Sequence, residues 1–332
     1  MNQKPIALNG LALMRPDSDN VMEFSPGGRT LEGIRDKSIR IAIVPDGVET
    51  IGPRAFSSCW MLEVVMFPAS LVSIKESAFS GCEHLSSVVF QDGVKTLDDC
   101  AFWKCKRLRS IALPDSVEGI GNGCFSDCAS LSAISLPCRL SDWGGFIFSN
   151  CVNLRSIRLP DGIRFLRNEL FKDCRSLEFI TIPEGVRIVD FDVFSGCTSL
   201  TSAILPDSLE SIGAYAFNGC SSLSEIRIPP RTKTIYAHAF AGCASLKTVF
   251  VPESVREIGE DAFSGCSQLT EAWIPESVKA DWISHASFPE ETHLFVSGKQ
   301  GKVPFPRQEA FSSEILGMKP PHPVNLTDIP PD

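Results

Sequence analysis

Ten cysteines stand at one fixed interval: Cys59, Cys82, Cys105, Cys128, Cys151, Cys174, Cys197, Cys220, Cys243 and Cys266, each 23 residues after the last. A phenylalanine precedes each by three residues, from Phe56 and Phe79 through Phe263, and a leucine follows each by three, from Leu62 to Leu269. A proline comes nine residues after the cysteine in nine of the ten copies, Gln91 being the exception. The shared pattern is I-G-x-x-A-F-S-G-C-x-x-L-x-x-I-x-L-P-x-S-V-x-x. A strict period over most of the chain requires a solenoid, with one supersecondary unit per turn stacked on its neighbours.

Inside each unit, L-x-x-I-x-L marks a short strand. In Leu223-Ser224-Glu225-Ile226-Arg227-Ile228, alternation sends Ile226 and Ile228 inward and Glu225 and Arg227 outward. The following proline removes a ladder donor and ends the strand. Val255 and Ile258 mark a second short extended edge, and the "AF" that follows predicts one helical turn per repeat. The residue before the cysteine reads Ser58, Gly81, Lys104, Asp127, Asn150, Asp173, Gly196, Gly219, Gly242, Gly265. Most of these tolerate positive φ, which predicts a left-handed residue closing that turn.

Equivalent residues of a solenoid stack about 4.8 Å apart, so the cysteines form an inward column beside the phenylalanines. A disulfide wants Cβ atoms roughly 3.8 Å apart, closer than parallel rungs provide. Cys100, Cys105, Cys124 and Cys128 loosely mimic zinc-ligand spacing, but fixed rungs rarely converge four ligands tetrahedrally. The favoured role is structural: a small apolar side chain under a phenylalanine, its S–H aimed at an open carbonyl.

The consensus A-F-x-G-C-x-x-L-x-x-I-x-I/L-P-x-S-V-x-x-I-G resembles the BspA-type leucine-rich repeat, over about residues 39 to 278. The resemblance implies a right-handed leucine-rich-repeat superhelix with short parallel strands. It also implies adhesion, host contact or other protein binding without catalysis, commonly outside the cell. The alternative is an intracellular scaffold or regulatory adaptor with reduced cysteines. The first twenty residues do not read as a signal peptide, which leaves the compartment open between cell surface and cytoplasm.

Residues 1–38 read as an N-terminal cap, 39–278 as an array of about eleven turns, 279–303 as a C-terminal cap, and 304–332 as a Pro-rich, extended or disordered tail. Ile39, Ala42 and Val44 already fit the strand pattern, while Gly33 and Asp36 hold the Phe and Cys slots. Asp281 and Ala286 break the pattern at the other end, where Trp282 and Phe288 are expected to cover the core. The tail's "KPPHP" at 319–323 is of a kind that docks aromatic grooves. One repeat departs from the rest: Trp143 takes an Ile slot and Phe146 precedes Phe148 by two, predicting local repacking and a lateral bulge.

No catalytic or phosphate-binding motif is present, and His84, His238, His285, His293 and His322 are scattered. Catalysis, metal and cofactors are not expected. The net charge of −9 argues against nucleic acid and anionic membrane as partners. No run of 18 apolar residues is present, so no membrane insertion is expected. A monomer is compatible with this reading.

What varies is the outward strand face. Arg158, Phe179, Ile204, Arg227, Phe250 and Trp273 place aromatic, aliphatic and Arg anchors there, the residue types that hold protein interfaces. The residue after the proline forms an acidic column: Asp46, Asp92, Asp115, Asp161, Glu184, Asp207, Glu253 and Glu276. Turn preference accounts for it, with a ridge for Ca²⁺ or a basic partner as the alternative.

Overall fold

The computed structural model describes residues 21–138, 140, 142–278 and 288–297. The chain winds as a parallel β-solenoid. Its first strand line comprises Ile41–Ile43, Val64–Met66 and Ser87–Val89, then Ser110–Ala112 with Ala133–Ser135, Phe179–Thr181 with Ser202–Ile204, and Thr248–Phe250, Glu271–Pro275 and His293–Ser297. Within each sheet of the array, neighbouring strands pair in parallel one coil apart, as in Ile41↔Val64 and Phe250↔Trp273. A second line of two-residue strands runs from Thr50–Ile51 to Asp142–Trp143 and again from Phe165–Leu166 to Glu257–Ile258. An antiparallel hairpin, Met22–Phe24 with Thr30–Ile34, pairs with Thr50–Ile51 and starts this second line.

The core is a set of columns. The ten phenylalanines that stand three residues before a column cysteine, Phe56 to Phe263 at 23-residue steps, are fully buried, and their successive rings stack nearly parallel at 4.6–6.0 Å between centroids. Ile226 and Ile228 point inward at 5% and 0% exposure. The S-V serines also link coils: Ser208 Oγ donates to Val186 O at 2.7 Å and accepts from Gly185 N at 2.9 Å.

The predicted helical turn is absent; no α-helix occurs among the described residues. In a helix, the amides after "AF" would donate four residues back. Here the segment has a different hydrogen-bond scheme. Ser57 N donates to Arg54 O and Cys59 N to Phe56 O, as i→i+3 turns. The alternate amides leave the coil: Arg54 N donates to Glu76 O, Phe56 N to Ala78 O and Ser58 N to Ser80 O, at 2.8–3.0 Å. These bonds make a third coil-to-coil ladder, which a helix would forfeit.

Two left-handed residues per coil turn those amides outward. The column from Ser58 to Gly265 has positive φ in all ten copies. A second column does too: Arg54, Ser77, Cys100, Gly123, Phe146, Glu169, Asp192, Tyr215, His238 and Asp261. Nine of these are not glycine. Each costs roughly 1–2 kcal/mol against the right-handed form, a cost the inter-coil bonds must offset.

The coil after Trp143 interrupts both strand lines. Trp143 is 4% exposed and in register with Ile120, as the sequence pattern requires. Neighbouring coils make the bonds Gly144 N→Ile120 O and Asp190 N→Leu166 O, but no bond runs from Arg167 N to Trp143 O. Instead the Trp143 indole N–H donates to Phe165 O at 3.3 Å. The Phe125–Phe148 ring spacing widens to 6.0 Å, yet the rings stay parallel within 4°. The extra bulk is absorbed by the sheets while the ring column runs on.

Phe194 lies between Phe171 and Phe217, at 5.6 and 5.1 Å. Its replacement by Ala is expected to cost about 3–5 kcal/mol, because a cavity opens between two coils. Urea unfolding followed by circular dichroism measures this; a loss under about 1 kcal/mol contradicts the column.

Candidate functional site

The cysteine column lies at the corner after the ring column. Cys82 Sγ donates to Phe56 O at 3.1 Å, Cys151 to Phe125 O at 3.2 Å and Cys266 to Phe240 O at 3.2 Å. The same bond, one coil back, is made by every column cysteine from Cys82 to Cys266, at 3.1–3.4 Å. Each column phenylalanine carbonyl from Phe56 to Phe240 thereby accepts twice, from its own coil's cysteine amide and from the next coil's thiol. Serine would fill the volume but bring a strongly solvated hydroxyl into an apolar corner.

None of the thirteen cysteines forms a disulfide. Cys59 and the rest of the column are fully buried, Cys100 is half-buried and Cys138 is exposed. Burial pushes the Cys59 thiol up to about 11 and that of Cys266 up to about 12. Burial likewise raises Cys105, Cys174 and Cys220 well above their ordinary value. These thiols are neutral and poor nucleophiles. Among the described residues no three His, Cys, Asp or Glu side chains come together as a metal site.

The outward face carries a more suggestive arrangement. Phe250 stacks on Trp273 at 4.3 Å, and Trp273 on Phe295 at 4.9 Å, with interplanar angles of 14° and 18°. Three strands in register hold the rings at one position, Phe250↔Trp273↔Phe295. The result is a half-exposed aromatic ladder at the C-terminal end of the sheet. Because the rings cover one another's faces, the ladder offers a partner mainly their edges and the outer surface of the stack. Exposed Glu225, Glu253 and Glu276 and half-exposed Glu271 belong to the same three coils or the one before.

The other sequence candidates are placed separately. Arg227 Nη1 bonds Asp207 Oδ1 at 2.8 Å and is held by the acidic column. Ile204 is 39% exposed, Phe179 half-buried and Arg158 exposed. Phe179 pairs with Ser202 and Thr181 with Ile204, so Phe179 and Ile204 lie on a diagonal, three and two coils before Phe250. The coil bearing Glu225 and Arg227 makes no strand on the first line and separates them from the ladder. Asp207 N also donates to Glu184 Oε1 at 3.1 Å, a bond between the acidic residues of neighbouring coils. Other charges pair between coils, Arg40 with Glu63 and Lys95 with Glu118, as exposed pairs of small energetic weight.

Sequence reasoning missed Phe295, which follows Trp273 by 22 residues and so falls off the period. It also missed a lateral group of exposed apolar side chains on the second strand line and its turn: Phe165, Ile188, Phe191, Tyr215 and Tyr236.

Residues 49–178 and 165–293 match the BspA type leucine rich repeat region, in six copies. The chain belongs to that family. Leucine-rich repeats of this type are protein-binding scaffolds, typically without catalysis. The leucine rich cell surface protein of Faecalibacterium prausnitzii A2-165 is similar in structure over 84% of this chain and 87% of its own, at 25% identity and a TM-score of 0.53. A leucine-rich repeat protein from Bacteroides ovatus is 24% identical over 83% of this chain and 97% of its own, with a TM-score of 0.37. The pneumococcal vaccine antigen PcpA is 18% identical over 81% and 87%, with a TM-score of 0.46. No curated protein matches this BspA-type chain. No helix among its described residues is long and apolar enough to cross a membrane.

The thiol column makes two expectations for this repeat protein. In the native state at pH 8, a thiol reagent should modify Cys138 quickly and Cys100 slowly, leaving the eleven buried cysteines until denaturant is added. Because burial raises the folded-state values of Cys59, Cys105, Cys174, Cys220 and Cys266, the contribution of these thiols is intact below the ordinary thiol value of 9.0 and is lost as pH rises toward about 12. Urea titrations under reductant at pH 8 and pH 11 should show a loss of several kcal/mol, since each tenfold difference in a thiol's proton affinity between the folded and unfolded chain is worth about 1.4 kcal/mol. Rapid native labelling of all thirteen would contradict this.

Proposed function

We propose that this BspA-type protein is a non-catalytic binding module whose principal docking surface is the aromatic ladder Phe250–Trp273–Phe295 on the outward strand face. The ladder's exposure and its placement on paired strands carry the reading. Stacked, tethered rings lose little further freedom on binding, which suits interface anchors. The surrounding glutamates favour a protein partner that brings apolar side chains ringed by Lys or Arg. Phe179 and Ile204 extend the contact toward the middle of the array. Similarity to a cell surface protein supports adhesion or cell contact as the setting.

The test compares the full chain with Phe179→Ser, Phe250→Ser and Trp273→Ser combined, as bait for surface proteins of neighbouring cells. Proteins captured by the parent should be lost with the triple variant and kept with Phe165→Ser plus Phe191→Ser, which alters the lateral group. Phe250→Ala alone should shift the melting temperature by about 2 °C or less, since only partly exposed apolar area is removed. Equal capture by parent and triple variant overturns the reading.

A further inference from the structure

The second strand line carries one sheet of five coils: Phe165–Leu166, Ile188–Val189, Ser211–Ile212, Thr234–Ile235 and Glu257–Ile258, in that order and all parallel. On this face and the turn beside it, Phe165, Ile188, Phe191, Tyr215 and Tyr236 are each 36–50% exposed. Phe165 and Ile188 are register partners, so their side chains lie side by side. At the place of Phe191 the next two coils carry Ala214 and Ala237, and at the place of Tyr236 the two before it carry Asp190 and Gly213. Rings therefore stand beside small residues on one surface. Apolar side chains grouped in this way mark a contact surface, where single exposed ones do not.

The charges on this sheet are sorted by coil. Arg164 and Arg167 are exposed on the first of the five coils, and Glu257 and Glu260 are exposed on the fifth. Glu169 on the first is held by Lys172 at 3.3 Å, and Arg256 on the fifth donates to the Glu253 carbonyl at 2.6 Å. Between these ends, Arg187 and Lys233 both pair with Glu210 of the central coil. The face thus has a positive end, an apolar middle and a negative end. A surface of that kind complements itself when turned end for end. We propose that a second copy of this chain covers the face, related by a two-fold axis that runs along Ser211–Ile212 between the two apposed sheets.

That axis keeps each residue's place along the strand and reverses the order of the coils. Phe191 then meets Ala237 of the second copy, a ring against a small residue, and the Tyr236 hydroxyl meets the Asp190 carboxylate. Arg164 and Arg167 meet the coil of Glu257 and Glu260. His238, stacked on Tyr215 at 4.6 Å, meets Asp192. A two-fold axis along the coil stack would instead set Arg164 and Arg167 against themselves, which like charges oppose. Five strands about 4.8 Å apart give a face roughly 20 Å across, small enough that the pairing is reversible. The aromatic ladder lies on the first strand line, so the pairing does not rest on the docking surface proposed there.

Sedimentation of the full chain tests the proposal, under reductant so that exposed Cys138 cannot cross-link copies. Half the chain should be paired at or below about 100 µM. Phe191→Ser should abolish pairing while circular dichroism and urea unfolding stay close to the parent's, since its ring is on the surface. Arg167→Glu and Glu260→Arg should each weaken pairing about tenfold or more, and the two together should restore it, because each then meets the other across the axis. A chain that stays monomeric up to about 1 mM overturns the proposal, whether the face is bare or covered by another part of the same chain. Pairing untouched by Phe191→Ser, or lost with Phe250→Ser instead, overturns it too, as does a double charge variant that pairs no better than either single one.

Discussion

Every coil of this chain is held to the next by backbone bonds that leave it, and the geometry of those bonds dictates the rest. The carbonyl of each column phenylalanine from Phe56 to Phe240 shows the constraint most clearly. It accepts an amide from its own coil and a thiol from the coil above. For both donors to reach it, the cysteine must recur at one place per turn, three residues after the phenylalanine. The near-parallel ring column follows, with centroid spacings inside the range that offset-stacked aromatic pairs favour.

The same constraint explains why nothing in the array reads as helix. A coil that spent its amides on itself would lose the third ladder. The left-handed residues flanking the "AF" segment are a local cost accepted for bonds between coils. Since each coil touches only two others, stability is close to a sum of nearest-neighbour terms. The surface is then free to vary, and it does: small polar residues at the middle of the strand face, aromatics near its end.

The periodic part of this architecture was legible in the sequence, because the physics repeats with the residues. Phe56 to Phe263, the cysteine column and the left-handed site before each cysteine follow from spacing and residue type alone. The second left-handed column left no such mark. Arg54, Tyr215 and His238 carry no sign of positive φ, and their backbone amides bond a neighbouring coil from there. The helical reading of "AF" failed for the same reason, as local pattern says nothing of amides that leave the segment. On the outer face, periodic reasoning found Phe250 and Trp273 but could not see that Arg227 reaches back to Asp207. That contact spans 20 residues and belongs to no column. It lost Phe295 because the last strand arrives one residue early.

The interlocking of like with like bears on how such a chain changes length. Any coil presents to its successor the same carbonyls and ring that its predecessor presented to it. A gene duplication or loss of one 23-codon unit inside the regular stretches would therefore splice without a seam, and the solenoid would grow or shrink by one strand spacing. The coil following Trp143, where the Arg167 amide does not bond the Trp143 carbonyl, is the natural exception. Segments on either side of it are free to be lengthened independently, while that junction keeps its place as a fixed landmark between them.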